Sequence, residues 1–275
     1  MTTALRPLST GELLDRTFAL YRSHFGLFMG IFALPHLIVL AFQCVGVALQ
    51  TPGNQLTNAL VTLLWTLGAL LLTIIVAAAS QAATVVAVSD VHLDRPASIK
   101  DSFVRVKGHI PGVIGVSLLV GLGVGAGLIA LVVPGIILIT MWSLSVPVKV
   151  LENKSATDAM SRSSDLTKGD RGRIFVIWLL FIVLSIGISF LFQWPVELLA
   201  RVGSRAALIR SGAGWQVASL AAAFVSECLV GPLATIAFAL VYYDERVRKE
   251  AFDLQLMMTT LDAATLPGSP AQVGA

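Results

Sequence analysis

The chain has 275 residues, of which 56% are apolar and only 13% charged, with a mean hydropathy of +0.84. A soluble domain averages about 25% charge, so this composition excludes an ordinary globular enzyme and a disordered chain alike, and points to an integral membrane protein. The net charge of +3 and a pI near 9.1 suit an anionic inner leaflet. No run of Lys and Arg with interleaved aromatics is present, so nucleic acid is not an expected partner.

The charges avoid long stretches. Phe25 to Ser89 runs 65 residues without Lys, Arg, Asp or Glu, and Ile110 to Val148 runs 39. As helix these measure roughly 98 and 58 Å, against a hydrocarbon core of about 30 Å that takes about 20 residues to cross. Each therefore predicts a hairpin of two spans. Ile174 to Val196 is a further span of 23 residues, and Trp215 to Tyr243 is another that holds one charge, Glu227. The expected fold is all-α and polytopic, with six transmembrane helices.

The polar run Gln50-Thr-Pro-Gly-Asn-Gln55 breaks the first hairpin, since Pro and Gly stop helices and water must satisfy the freed backbone. The second has no such run, and its turn is expected between Gly121 and Pro134-Gly135. With 39 residues, 110–148 fits either two full spans or a partly re-entrant segment.

An inside N-terminus places 16 of the 19 basic residues on the cytoplasmic side and leaves only Arg201, Arg205 and Arg210 outside. This predicts a multi-pass protein of a bacterial cytoplasmic membrane with both termini inside. The first 24 residues carry five charges and no apolar core, so no cleavable signal peptide is expected. Cys44 and Cys228 both fall within spans, outside any CxxC, and read as packing residues.

One pattern precedes each pair of spans. It reads Ser9-Thr-Gly-Glu12-Leu-Leu14-Asp-Arg16, then Ser98-Ile-Lys-Asp101-Ser-Phe103-Val-Arg105, then Ser155-Ala-Thr-Asp158-Ala-Met160-Ser-Arg162. The serine caps a first turn while the acid three residues on reaches back, and that acid stands four residues before the Arg. In the first copy Leu14, Phe18, Tyr21 and Phe25 form an apolar stripe suited to the membrane interface, with Arg16 and Arg22 snorkelling outward. The expectation is three repeats of interfacial helix plus hairpin, about 8–90, 96–150 and 153–245, in a membrane domain covering 1–250. A Pro/Gly/Ala-rich disordered tail is expected over 251–275. Arg16, Arg105, Arg162 and Lys168 are the candidates for headgroup contact, Arg162 having the alternative of pairing with Asp158. Gly121xxxGly125 and Gly123xxxGly127 offer a small-residue face for close helix packing.

Pro147-Val-Lys-Val-Leu-Glu152, followed by Ala159-Met-Ser-Arg162-Ser163-Ser-Asp-Leu166-Thr-Lys-Gly169, resembles the membrane domain attached to some bacterial glycerophosphoryl diester phosphodiesterases and related stand-alone membrane proteins. The opening Gly11-Glu-Leu-Leu-Asp-Arg16 and the closing Tyr242-Tyr-Asp-Glu-Arg-Val-Arg-Lys-Glu250 are similar to the same group. The resemblance implies that Glu152 ends the fourth span and that Arg162 and Ser163 sit on the third interfacial helix. It implies no activity here, because hydrolysis in the fused proteins belongs to a separate soluble barrel, and only 32 residues follow Tyr243.

No chemistry of hydrolysis is legible either. The four histidines are scattered with no HExxH, and neither GxSxG nor a Walker A run occurs. No cofactor or metal is expected. Three functions remain: a non-catalytic module that organises membrane lipids or a partner protein, a permease for a lipid-like or hydrophobic solute, and an intramembrane enzyme. The polar candidates inside the spans are Glu227, Gln43, His36 and Gln81. Glu227 and Gln43 lie roughly 24 and 27 Å from the cytoplasmic end of their helices, so they are expected to meet and share a hydrogen bond if the first and sixth spans are neighbours. Ala223 and Gly231 would then turn the carboxyl toward the bundle.

Overall fold

Charge-free length becomes helix throughout. The computed structural model describes residues 8–49, 55–92, 95–201 and 213–265. These form α1 (Thr10–Ser23), α2 (Phe25–Ala48), α3 (Gln55–His92), α4 (Ile99–Val106), α5 (Ile110–Ala130), α6 (Val132–Trp142), α7 (Ser145–Glu152), α8 (Ala156–Thr167), α9 (Arg171–Arg201) and α10 (Ala213–Thr265), with no strand among the described residues. Six segments are long and apolar enough to cross a membrane: Phe25–Ala48, Ala59–His92, Ile110–Ala130, Val132–Glu152, Arg171–Leu199 and Gly214–Glu250. The protein is an all-α, multi-pass membrane protein. The turn expected over Gln50–Asn54, and Arg205 and Arg210 of the expected outer loop, lie outside the described residues.

Two regions of the bundle differ in what covers their apolar side chains. Toward the end that carries Asp90, Glu152 and Asp244, Leu13, Phe28, Ile31, Leu144, Leu166, Ile174, Ile236 and Tyr242 are buried in one cluster drawn from eight helices. Away from it, Leu64 and Leu71 on α3, Ile129 and Leu131 at the α5–α6 turn, and Leu191 and Leu199 on α9 stand exposed, Ile129 to 90%. Apolar surface on this scale marks contact with an apolar solvent rather than with water.

The three serines cap their helices. Ser9 accepts from the Glu12 N–H and the Glu12 carboxylate accepts from the Ser9 N–H, the full capping box. Ser98 and Ser155 accept from the N–H of Asp101 and Asp158, but there the shorter carboxylate takes the serine hydroxyl instead. The docking register is also shared. Residues four and eight positions after each serine are buried: Leu13 and Thr17, Ser102 and Val106, Ala159 and Ser163. The stripe on α1 divides, with Leu14 and Tyr21 packed against the core and Phe18 and Phe25 exposed.

The returning limb of the second hairpin is broken. Leu131 is extended (φ −163°, ψ 145°) and turns the chain within the expected interval; α6 then measures only about 16 Å before the helix opens at Ser143-Leu144. Ser163 of α8 closes that gap, its hydroxyl accepting from the Leu144 N–H at 3.1 Å and donating to the Met141 C=O at 2.8 Å. A hydroxyl from a neighbouring helix is how a broken span keeps its backbone satisfied. Glu152 does end α7, and Asn153, at φ 49°, reverses the chain into α8.

Of the two small-residue pairs in α5, one is used. A Cβ on Gly123 would meet the Trp142 ring at 2.5 Å and one on Gly127 would meet Gly135 Cα at 3.1 Å, whereas Gly121 and Gly125 face open space. α10 runs to Thr265, over a stretch, 251–265, that contains neither Gly nor Pro and so holds nothing that stops a helix. The segment 266–275 lies outside the described residues.

Candidate functional site

α2 and α10 pack side by side, as do α2 and α3, and the approach is tight where a Cβ on Gly231 would sit 2.4 Å from the Phe32 ring. Three cavities lie along these helices. The first, about 360 Å³, includes Phe32, Gln81, Trp178, Glu227 and Phe238 in its lining. The second, about 210 Å³, includes His36, Gln43, Thr73 and Glu227. The third, about 230 Å³, includes Gln43, Val61, Trp65 and Leu220. They adjoin: Ala77 and Glu227 line both the first and the second, and Gln43 and Leu220 line both the second and the third.

All four intramembrane candidates thus line this series. Glu227 shares one cavity with His36 and Gln43 and another with Gln81. The expected hydrogen bond between Glu227 and Gln43 is corrected: among the described residues none joins them. Glu227 is exposed and Ala223 lines the cavity; only Gly231 makes the expected helix contact. The physical reason is that the two side chains line one cavity rather than meeting in a closed helix contact.

The remaining polar groups divide by whether their own helix satisfies them. Thr73 donates to the Ala69 C=O at 2.8 Å and Thr235 to the Gly231 C=O at 2.9 Å, so these hydroxyls are occupied. His36, 6% exposed, donates from Nδ1 to the Phe32 C=O at 2.8 Å and stacks on the Phe32 ring. In the neutral ring that leaves Nε2 as an acceptor. Among the described residues, no hydrogen bond engages the side chains of Gln43, Gln81 or Glu227, which keeps two amides and a carboxyl available to a ligand.

A second polar assembly holds the charged end together. Arg173 donates to Asp244 at 2.5 Å and Arg248 donates to the same carboxylate at 2.9 Å. Both arginines donate to the Leu8 C=O, and the Leu8 N–H donates to Asp244 at 2.7 Å, so both backbone groups of Leu8 are taken. Nearby, Glu152 accepts from Tyr242 at 3.0 Å and from Arg162 at 3.4 Å, and Glu250 accepts from Arg162 at 2.7 Å and from Arg246 at 2.8 Å. Three of the segments that carry the family resemblance meet in this network.

The headgroup candidates fare differently. Arg105 pairs with Asp90 at 2.7 Å and Arg162 with Glu152 and Glu250, so neither takes the acid four residues before it, Asp158 included. Arg16 and Lys168 are exposed at the surface. Sequence reasoning missed the aromatic wall of the first cavity and the partners of Arg173, since an aromatic within an apolar span carries no signal of its own and the Arg173 and Asp244 pair is 71 residues apart.

Among the described residues no group of three His, Cys, Asp or Glu is placed to hold a metal ion. No curated protein and no solved structure matches the chain. One family, described as a domain of unknown function (DUF8558), matches residues 113–243, so the stretch that runs from α5 through Glu152, Arg162 and Glu227 to Tyr243 is similar to that family.

Proposed function

We propose that this chain is a non-catalytic module of the bacterial cytoplasmic membrane that holds a lipid-like amphiphile, with both termini on the cytoplasmic side. The observation that carries the reading is the shared lining of the cavities at Glu227, Ala77 and Gln43. Unoccupied polar side chains inside a span are costly unless something uses them. An amphiphile uses them with its headgroup while its tail stays among lipid. The resemblance to phosphodiesterase membrane domains supports the same reading, with the ion-paired end as the scaffold that fixes the helices. Arg16 and Lys168 serve as interfacial anchors.

A permease is the second reading, and a specific observation favours it. From Val61 to Val85 the cavities follow α3 over 25 residues, about 37 Å, which exceeds a hydrocarbon core of about 30 Å. Mass spectrometry of molecules retained through mild-detergent purification tests the first reading. A lipid-like amphiphile is expected on the wild type and is expected to be lost from Ala77→Phe, which fills the junction. Recovery of no amphiphile from the wild type overturns the proposal. Flux across reconstituted vesicles that Ala77→Phe abolishes selects the permease.

A further inference from the structure

We infer that the ligand of these cavities bears an ammonium group, an inference that rests on the amphiphile-binding reading above. The first cavity places the Glu227 carboxyl in a wall that includes Phe32, Trp178, Phe181 and Phe238. Aromatic faces and a carboxylate are the two groups that attract an organic cation, the ring quadrupole acting at close range and with more effect where water is excluded. No Lys or Arg lines any of the three cavities. An anionic headgroup would meet a carboxyl and no counter-charge there, a contact between like charges that selects against it.

Arg162 and Arg173 are held by Glu152, Glu250, Asp244 and Glu245, and Glu227 is the one Asp, Glu, Lys or Arg in the lining of the three cavities. The amide oxygens of Gln43 and Gln81 accept hydrogen bonds from a primary ammonium. Glu227 is exposed at the junction, so a ligand can present its cation to the carboxyl while its tail lies against the apolar outer faces of the helices.

Such a ligand has two sources, an amine-bearing lipid headgroup or a free lipophilic cation, and native mass spectrometry of the full chain in a neutral detergent separates them. The probes are phosphatidylethanolamine, phosphatidylglycerol with the same acyl chains, and dodecyltrimethylammonium, each titrated alone. At least one ammonium probe is expected to bind about fivefold or more tighter than phosphatidylglycerol. Phosphatidylethanolamine as that probe identifies a lipid headgroup, and dodecyltrimethylammonium a free cation. Glu227→Gln is expected to bring ammonium and anionic probes within about twofold of each other. The wild-type comparison stands whether or not that variant folds, and unchanged preference in a folded variant overturns the role of Glu227. Phosphatidylglycerol binding as tightly as both ammonium probes overturns the inference and leaves amphiphile binding intact. Retention of none of the three overturns the amphiphile reading itself.

Discussion

Ser163 lies 19 residues after Leu144 in the chain and 3.1 Å from it in space, its hydroxyl standing in for the hydrogen bond that the opened helix has lost. Because the same oxygen donates to the Met141 C=O, one side chain serves both sides of the break between α6 and α7. Ser163 is fully buried, and removing one partner from a buried hydrogen bond costs about 1–3 kcal/mol. Ser163→Ala is therefore expected to lower the thermal midpoint in mild detergent. Ser161→Ala, at an exposed position of the same helix, is the control. Equal midpoints for the two variants would show that the break is stable without α8.

The clasp at Leu8 makes a different prediction. Asp244 is 2% exposed at its side chain and Arg173 13%, so the pair is buried, and breaking such a pair by removing one partner costs about 3–5 kcal/mol. Asp244→Ala leaves Arg248 with the Leu8 C=O and Arg173 with that carbonyl and the more distant Glu245, and frees the Leu8 N–H. Hydrogen exchange over α1 should rise in that variant while α5 is unaffected. Arg173→Leu combined with Asp244→Ala should recover part of the loss, since contacting residues are not additive. Full additivity would mean that the two side chains act separately.

The spans and the caps were legible because each rests on a local rule. A charge-free length sets a crossing, and a serine with an acid three residues on sets a helix start. What stayed hidden depends on residues far apart. Nothing in Leu13 and Thr17, Ser102 and Val106, or Ala159 and Ser163 marks one buried face, since small polar residues are buried there beside aliphatic ones. The pattern drew attention to Leu14, Phe103 and Met160, one position further on, which are only half-buried. Likewise Asp101 and Asp158 had suitable arginines four residues on, but those arginines reach Asp90, Glu152 and Glu250. Three of the polar candidates line cavities with Glu227, while the space around it depends on how α2, α3 and α10 pack, which hydropathy does not encode.

The shared register of the three capped helices predicts that their serines are equivalent in energy. Ser9→Ala, Ser98→Ala and Ser155→Ala are each expected to cost about 0.5–2 kcal/mol, the range for a lost cap. Ser9 should stand apart in one respect. The Glu12 carboxylate holds the Ser9 N–H directly, so Glu12→Gln keeps that bond, whereas Asp101→Asn and Asp158→Asn change groups bonded to the serine hydroxyl itself. Denaturation midpoints of the six variants decide this, and a serine variant without effect removes that helix from the set.

Orientation follows from the 16 basic residues expected inside and three outside. Reporter fusions after Gly53 and Gly212 should report the outer side, and fusions after Asp94, Asp170 and Ala275 the inner side. An inner signal at Gly53 would invert or delete the first hairpin.

The glycines of the second hairpin give the sharpest contrast between two like substitutions. At Gly135 a new Cβ would lie 2.4 Å from Leu128 Cδ2 and 2.8 Å from the Leu128 backbone nitrogen, while at Gly125 it would meet nothing within 4 Å. A flexible side chain can yield to a methyl group, but the Leu128 backbone moves only if α5 and α6 separate. Gly135→Ala is therefore expected to cost about 1–3 kcal/mol, the usual cost of overpacking. Gly125→Ala should be neutral or gain up to about 1 kcal/mol from helix propensity. Because the α5–α6 turn is apolar and exposed on its outer side, separation of the two helices would also loosen the break that Ser163 closes. Gly135→Ala and Ser163→Ala should then combine to less than the sum of their separate effects. Full additivity in detergent unfolding would place the two sites in independent parts of the hairpin.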